Sequence, residues 1–427
     1  MSASIDEEKH SSQDLMVAAD SGSAGEPIEA LKSGPPDNSD AQQQVMTIPD
    51  GGLQACLVVV GGACVQFCTF GYSSSFGVYE DYYVLHGGLT SSNASWIGSL
   101  QFFLLFSLGL PTGKLFDLGY FRHMQIAGIL LYVFSLFMLS LADVTQYYQL
   151  ILSQGIGMGL GGGLLLVPTI SLQAHYWKKH RALVMGIILA ASSCGGIVYP
   201  IMLNQLIHSS VGFPWAVRAT AFLTLGMLCI AACLTKPRLP SAKHRPPTPM
   251  PGIKGIFQDP AYLMTLFGIF MVFWGLMFPY FYLQLWANLH GISSAFSFYT
   301  IAILNAGSIF GRLLPNRLAD SFGQFNLICT VSVVSSALLF ALFGVKSEAA
   351  VIVFAILYGF FSGAGYFVAS FALLTGSPID GALLGPEHHW PKAIVFSGVV
   401  MFVGSAAFIA ARHLFARTRK LDLLGKL

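Results

Sequence analysis

Hydrophobic residues in this chain run in long, unbroken blocks instead of recurring as one face of a soluble helix. An apolar stretch of about 18 or more residues with few charges is long enough to cross a bilayer as a helix. Blocks of that kind predict spans near 53–79, 94–116, 123–142, 147–172, 182–207 and 214–235. A basic, Pro-rich linker follows, and then blocks at 260–286, 295–318, 324–345, 350–384 and 391–413. In lipid only helices and closed barrels satisfy their own backbone groups, and runs without period-two alternation exclude a barrel. The predicted fold class is an all-α membrane protein of two helical halves, nominally six spans each. The block 350–384 is irregular. Two full crossings need about 40 residues, so the region of spans 10 and 11 is expected to be abbreviated. Counted as one span, it would put Arg412, Arg417, Arg419 and Lys420 on the outer side, against the positive-inside bias.

Composition narrows the class further. Of 427 residues, 54% are hydrophobic and 10% charged, with a mean hydropathy of +0.65; a soluble domain carries about 25% charged residues. Nucleic-acid binders, secreted disulfide scaffolds and ordinary soluble enzymes are excluded on that ground. The seven cysteines all fall in apolar blocks, where Cys packs as a small hydrophobe. Charge is unevenly divided: residues 1–50 carry ten acids and two lysines, the remainder ten acids and twenty Lys or Arg. Residues 1–48 read as a disordered acidic tail. They precede a six-helix half (49–235), a basic linker (236–259), a second helical half (260–413) and a basic tail (414–427). Lys178, Lys179 and Arg181 follow span 4, and Lys236, Arg238, Lys243, Arg245 and Lys254 follow span 6, whereas Glu80, Asp81 and Asp143 follow spans 1 and 3. That bias places the amino terminus in the cytosol. The expected location is the plasma membrane, as a multi-pass protein.

Three local patterns stand out. Span 2 closes with Thr112-Gly113-Lys114-Leu115-Phe116-Asp117-Leu118-Gly119-Tyr120-Phe121-Arg122, and span 8 with Gly311-Arg312 through Ala319-Asp320-Ser321-Phe322-Gly323. Glycines 113 and 119 are expected to allow close helix approach. Pro49-Asp50-Gly51-Gly52 stands just before span 1, and Ser75-Phe76-Gly77-Val78-Tyr79 ends it. Tyr176-Trp177-Lys178-Lys179-His180-Arg181-Ala182, Trp215-Ala216-Val217-Arg218, Asn305-Ala306-Gly307-Ser308 and Leu374-Thr375-Gly376-Ser377-Pro378-Ile379 follow. The glycine run Gly155–Gly163 in span 4 lacks the Lys-Ser/Thr and preceding strand of a phosphate loop, so it reads as a helix-packing surface.

The duplicated loops resemble those of the major facilitator superfamily, and the segments together, over about residues 49–413, resemble its monocarboxylate porter family, in wording closest to the filamentous-fungal branch. That resemblance implies the major facilitator fold and alternating access, with the halves rocking about a central site. Gly113, Asp117, Gly119, Arg122 and Asp320 would form the cytosolic gate, and Asp50, Gly51 and Gly52 the family's opening motif. Animal members that couple lactate to protons carry a Lys late in span 1 and an Asp one turn before the Arg of span 8. Those positions fall here on Ser73 and Ser308, so that proton relay is not available.

Ionisable groups at membrane depth are costly and usually functional. Arg312 follows a stretch from 260 to 311 without an acid or base and lies about two-thirds along span 8. A guanidinium binds a carboxylate bidentately, and the resemblance assigns this Arg to the substrate's carboxylate; snorkelling to cytosolic water is the competing reading. Substrate contacts are also expected from Asn305, Tyr72, Gln66, Phe278, Tyr280 and Tyr282. Gln154, Asn204 and Gln284 are further polar residues in pore-forming spans, Arg218 is read as an interfacial anchor, and Asn93-Ala94-Ser95 is a glycosylation sequon. No catalytic constellation, cofactor motif or metal-ligand spacing is present, the adjacent His388-His389 with Glu387 included.

The expected function is secondary active transport of an organic anion or small metabolite, either monocarboxylate-type or secondary-metabolite efflux. The partners are the solute and the bilayer, without nucleic acid, and the state is monomeric. A membrane sensor that does not transport, or a degenerate transporter copy, is the alternative.

Overall fold

The computed structural model describes residues 50–238, 258–363, 370–385 and 387–418, without the side chains of residues 182, 294, 295, 315–321, 324, 370 and 371. The acidic tail (1–48), most of the linker and residues 419–427 lie outside the described residues. The first half comprises α1 (Leu53–Leu85), α2 (Ser91–Asp117), α3 (Phe121–Leu139), α4 (Tyr147–His175), α5 (Arg181–Ile207) and α6 (Gly212–Leu234). The second comprises α7 (Pro260–Leu289), α8 (Thr300–Phe322), α9 (Gln324–Ala341), α10 (Glu348–Ser362), α11 (Ser370–Leu384) and α12 (Trp390–Thr418). Nine of the described helices are long and apolar enough to span a bilayer. Large apolar side chains such as Leu130, Phe134, Phe222 and Phe310 stay exposed. On a soluble protein such a surface would drive association; here it is the lipid-facing belt.

Sequence sets the helix starts. Thr90 accepts from the Asn93 amide at the head of α2 (3.2 Å), Asp259 from Ala261 ahead of Pro260 in α7 (2.9 Å), and Ser347 from Ala350 at α10 (3.3 Å). Each side chain satisfies one backbone donor that the first helical turn leaves open. The glycine run of span 4 falls on a π-helical stretch, Ile151–Met158, continued by α-helix. A Cβ added at Gly161 would sit 2.7 Å from the Tyr132 amide nitrogen, so α3 and α4 touch backbone to backbone, as small residues at membrane interfaces permit.

The internal repeat shows in matching breaks. α1 is interrupted after Leu53–Cys68 and resumes as Phe76–Leu85; α7 is interrupted after Pro260–Leu276 and resumes as Phe278–Leu289, where Pro279 cannot continue the ladder. Discontinuous spans at corresponding positions of two halves are a pointer to the transport path. The two resumed segments pack on each other across the halves.

The structure differs from the sequence reading at the end of span 1 and in the loop that closes span 2. Span 1 does not end at 79. The helix continues to Leu85 and buries Glu80 and Asp81, which the apolar pattern places after span 1. Gly113 packs against nothing, because a Cβ there would meet no atom within 4 Å, while Gly119 has φ +91°, a turn conformation that suits glycine.

The irregular block resolves into α10 and α11, each of 15 residues. At 1.5 Å per residue each is about 22 Å long, short of the roughly 30 Å hydrocarbon core. α10 ends where Gly363 meets Ser308, midway along α8, and α11 passes Trp274, midway along α7, before reaching the same end of the bundle from which α10 started. The residues joining them, 364–369, lie outside the described residues.

Gly77 decides how closely the halves approach. A Cβ there would lie 2.6 Å from the Tyr280 carbonyl oxygen and 3.0 Å from that of Phe281. Gly77→Val should cost the closed arrangement about 1–3 kcal/mol by overpacking. Spin labels at the exposed Leu85 and Leu289 should then report a longer, broader distance than in the wild type. An unchanged distance would show that this contact does not set the closure.

Candidate functional site

The two halves meet along α5–α8, α2–α11 and α1–α7. The loops carrying Lys178, Lys179, Lys236 and Arg238 define a basic face, and the ends of α1, α5 and α7 define the far face. Hydrogen bonds between halves among the described residues run from Arg312 outward to the far face. They include Ser193 to Ser308 (3.3 Å), Asn204 to the Phe298 carbonyl (3.1 Å) and Gln205 to Tyr299 (3.0 Å). Ser92 bonds the Pro378 carbonyl (3.1 Å), and Gln284 and Asn288 each reach Asp81 at 3.1 Å. The described contacts thus close the far face.

Arg312 sits at the inner limit of that seam and is 3% exposed. It does not snorkel. Its Nη1 donates to the Leu189 carbonyl (2.7 Å) and to Ser192 Oγ, both on α5, and its guanidinium lies 5.2 Å from the centre of the Phe70 ring. A slot beside it is lined by Gln66, Phe70, Phe106, Ile170 and Ser192 and has about 10 Å³ of room, the scale of one water. A cation held over an aromatic face inside an apolar slot keeps its charge available where the dielectric is low.

Of the residues expected at a substrate site, Arg312 and Gln66 are brought together here. Tyr72 lies inside the first half, bonded to Tyr79 and edge-on to Tyr132 and Tyr199, away from the slot. Asn305 donates to its own helix at the Ile301 carbonyl (3.0 Å) and faces Gly196 of α5 across the seam. Tyr280 pairs with Ser362 (3.3 Å) within the second half. Phe278 packs on Tyr282, and Tyr282 reaches across the far-face seam to Ser95. Gln154 accepts from Tyr83 (2.7 Å) near that end of the first half. Arg218 lies 5.0 Å over the Trp215 ring, as an anchor does.

At the basic face two motifs that are far apart in sequence join. Asp50, at φ +48°, accepts from the amides of Lys178 (2.5 Å) and Lys179 (2.7 Å), while its own amide donates to the Tyr176 carbonyl (3.1 Å). Gly51 and Gly52 then lead into α1, and the Tyr176 hydroxyl bonds the Lys236 carbonyl (2.7 Å), tying in the chain after α6. Arg122 donates to Gln125 (2.9 Å) and to the Ala232 carbonyl near the end of α6. Asp117 is exposed and forms no ion pair among the described residues; the Asp320 side chain lies outside them. Asn93 is exposed in the first turn of α2.

A family model described as Major Facilitator Superfamily matches residues 62–409. The chain belongs to the major facilitator superfamily. The aspyridones efflux protein apdF of Emericella nidulans is 40% identical over 392 residues, 85% of this chain and 79% of that protein. The agnestins efflux protein AgnL12 of Paecilomyces divaricatus is 35% identical, over 84% of this chain and 87% of that one. Among solved structures, tetrameric PepTSo2 superposes with a TM-score of 0.61 at 14% identity, covering 86% of this chain and 99% of the other. A bacterial homolog of the human lysosomal transporter Spinster, solved inward-facing and unoccupied, gives 0.53 at 15% identity, covering 84% and 80%. These likenesses speak for the fold. As a major facilitator the protein is a multi-pass membrane transporter of small molecules.

In this transporter the Asp50 tie has a pH signature. The Lys178 amide foremost, with that of Lys179, holds the Asp50 carboxyl below the usual aspartate range. A lowered value means that the tie is at full strength above the unfolded value of about 3.9 and is lost as pH falls through the folded one. Hydrogen exchange at the Lys178 and Lys179 amides should therefore stay slow at neutral and mildly acidic pH. In Asp50→Ala it should speed up about tenfold at neutral pH, by loss of a charge-assisted bond. Equal protection in the variant would disprove the tie.

Proposed function

We propose that this transporter exports a carboxylate-bearing secondary metabolite by alternating access, in the manner of the monocarboxylate porter family. The observation that carries the reading is the buried Arg312 guanidinium at the seam, turned toward the slot between Gln66, Phe70 and Ser192. The Leu189 carbonyl and Ser192 hydroxyl hold it there with the far face closed. An incoming carboxylate offers stronger, charge-assisted bonds, and the neighbouring rings suit the apolar remainder of an organic acid. The names of the efflux relatives favour a metabolite over a nutrient, and export over import. The basic face is the cytosolic one by the positive-inside bias, which puts the amino terminus in the cytosol, and export of a metabolite from the cell suits the plasma membrane. Asn305 and Tyr280 face the seam or the second half and would contact substrate only after the halves move.

A second reading is favoured by the short α10–α11 pair. The described part of each helix has 15 residues, fewer than a full crossing needs, and a half built on an abbreviated pair suits a chain that binds without transporting. Flux separates the readings. Purified protein in liposomes should move a labelled aromatic organic acid, and Arg312→Ala should reduce that flux about ten- to hundredfold, the worth of a hydrogen bond to a charged group, while remaining monodisperse. Binding without flux in the wild type would support the second reading. Full flux in the variant would remove Arg312 from the mechanism.

A further inference from the structure

Three carboxylates are buried where the halves meet at the far face: Glu80 and Asp81 near the end of α1, and Asp380 on α11. None forms an ion pair among the described residues. Asp81 is served as an anion should be. The Gln284 amide nitrogen reaches its Oδ2 at 3.1 Å, and that of Asn288 reaches both oxygens, at 3.2 and 3.1 Å.

Glu80 is served differently. Its Oε1 is 2.7 Å from Ser95 Oγ, Ser95 Oγ is in contact with Tyr282 Oη, and Tyr282 Oη is 3.0 Å from the Ser377 carbonyl oxygen. With Glu80 as an anion, this run has three contacts and only two hydroxyl hydrogens, and the Ser377 carbonyl can supply none. A third hydrogen on Glu80 Oε1 completes it: Glu80 donates to Ser95, Ser95 to Tyr282, and Tyr282 to the carbonyl. Glu80 Oε2 gives an independent indication. It is fully enclosed and no donor reaches it. A carboxylate would leave half its charge there unsolvated, at far greater cost than a neutral carbonyl oxygen.

The run crosses the seam. Glu80 and Ser95 belong to the first half, Tyr282 and Ser377 to the second. We propose that Glu80 is a proton-binding site, loaded while the far face is closed and discharged to solvent when the halves part there. One proton would thus accompany each opening. Several titratable groups surround Glu80. Tyr282 of α7 is part of the run. Asp380 of α11, held by Ser397 (2.6 Å), adds like charge when ionised, as does Asp81 on the same helix. His208 at the end of α5 and His86 bear on Asp81, and α2 contributes the Ser95 hydroxyl. This inference names the coupling ion of the transport proposed above, but its spectroscopic test is independent of whether any solute moves.

Infrared spectra of the full chain in nanodiscs at neutral pH should show the carbonyl stretch of a protonated carboxylic acid. The band assigned to Glu80 should be lost in Glu80→Gln and retained in Asp81→Asn. In the wild type, the open population read from spin labels at Leu85 and Leu289 should rise with pH by up to about tenfold per unit, the limit for one linked proton. Glu80→Gln should hold the far face closed with no pH dependence, and Tyr282→Phe, which cuts the run while keeping the ring, should weaken the dependence. A spectrum unchanged in Glu80→Gln, or a label distance whose pH dependence survives that substitution, would overturn the assignment.

Discussion

A polar group at lipid depth has no water to fall back on, so it must find its partner within the protein. In this transporter the partners are found across the division between halves. Arg312 on α8 leans on the Leu189 carbonyl and Ser192 of α5, Asp81 on α1 takes its donors from α7, and the Glu80 hydroxyl run starts on α1 and ends on α11. Each of these groups is satisfied only while the halves hold their present relation. The same bonds that close the far face therefore set the energy that a substrate, or the release of a proton, must offset to open it.

Backbone proximity makes that relation sharp. Gly77 brings the resumed part of α1 against the carbonyls of Tyr280 and Phe281, and Gly381 brings α11 against Ser92 at 2.8 Å from a would-be Cβ. Contacts this short leave no room for a graded slide, so two discrete arrangements are the natural outcome. The matching breaks in α1 and α7 give each half a segment that can tilt without unfolding the rest. The basic face is fastened differently. Asp50, Tyr176 and Arg122 bind the ends of α1, α4, α3 and α6 to one another within the first half, which holds that half rigid and leaves motion to the seam.

Much of this was legible in the chain. Long apolar blocks mark the spans because a helix must be apolar for about 20 residues to cross lipid, and the shortage of residues in 350–384 points to an abbreviated helix pair. Arg312 stood out because charge is scarce between 260 and 311. Direction along a helix was not legible. Tyr72 and Gln66 sit on the same span, yet one faces the interior of the first half and the other the slot, a difference fixed by rotation and by the break at Thr69. Glu80 and Asp81 fall just past the apolar block of span 1 and so read as loop residues. Here the partners that bury them, Tyr282, Gln284 and Asn288, lie some two hundred positions away. Asp380 was hidden in an apolar block for the same reason. The tie between Asp50 and the Lys178 loop was visible only as two separate motifs.

The central claim is that a guanidinium at the seam recognises a negatively charged solute. It is tested most directly by comparing one aromatic carboxylic acid with its methyl ester as ligands for the full chain in nanodiscs, by calorimetry at neutral pH. The ester keeps the shape and apolar area and removes only the charge. The account predicts measurable binding of the acid and at least about tenfold weaker binding of the ester, the difference made by a charge-assisted hydrogen bond. Equal binding of the two, with the acid demonstrably bound, would contradict it.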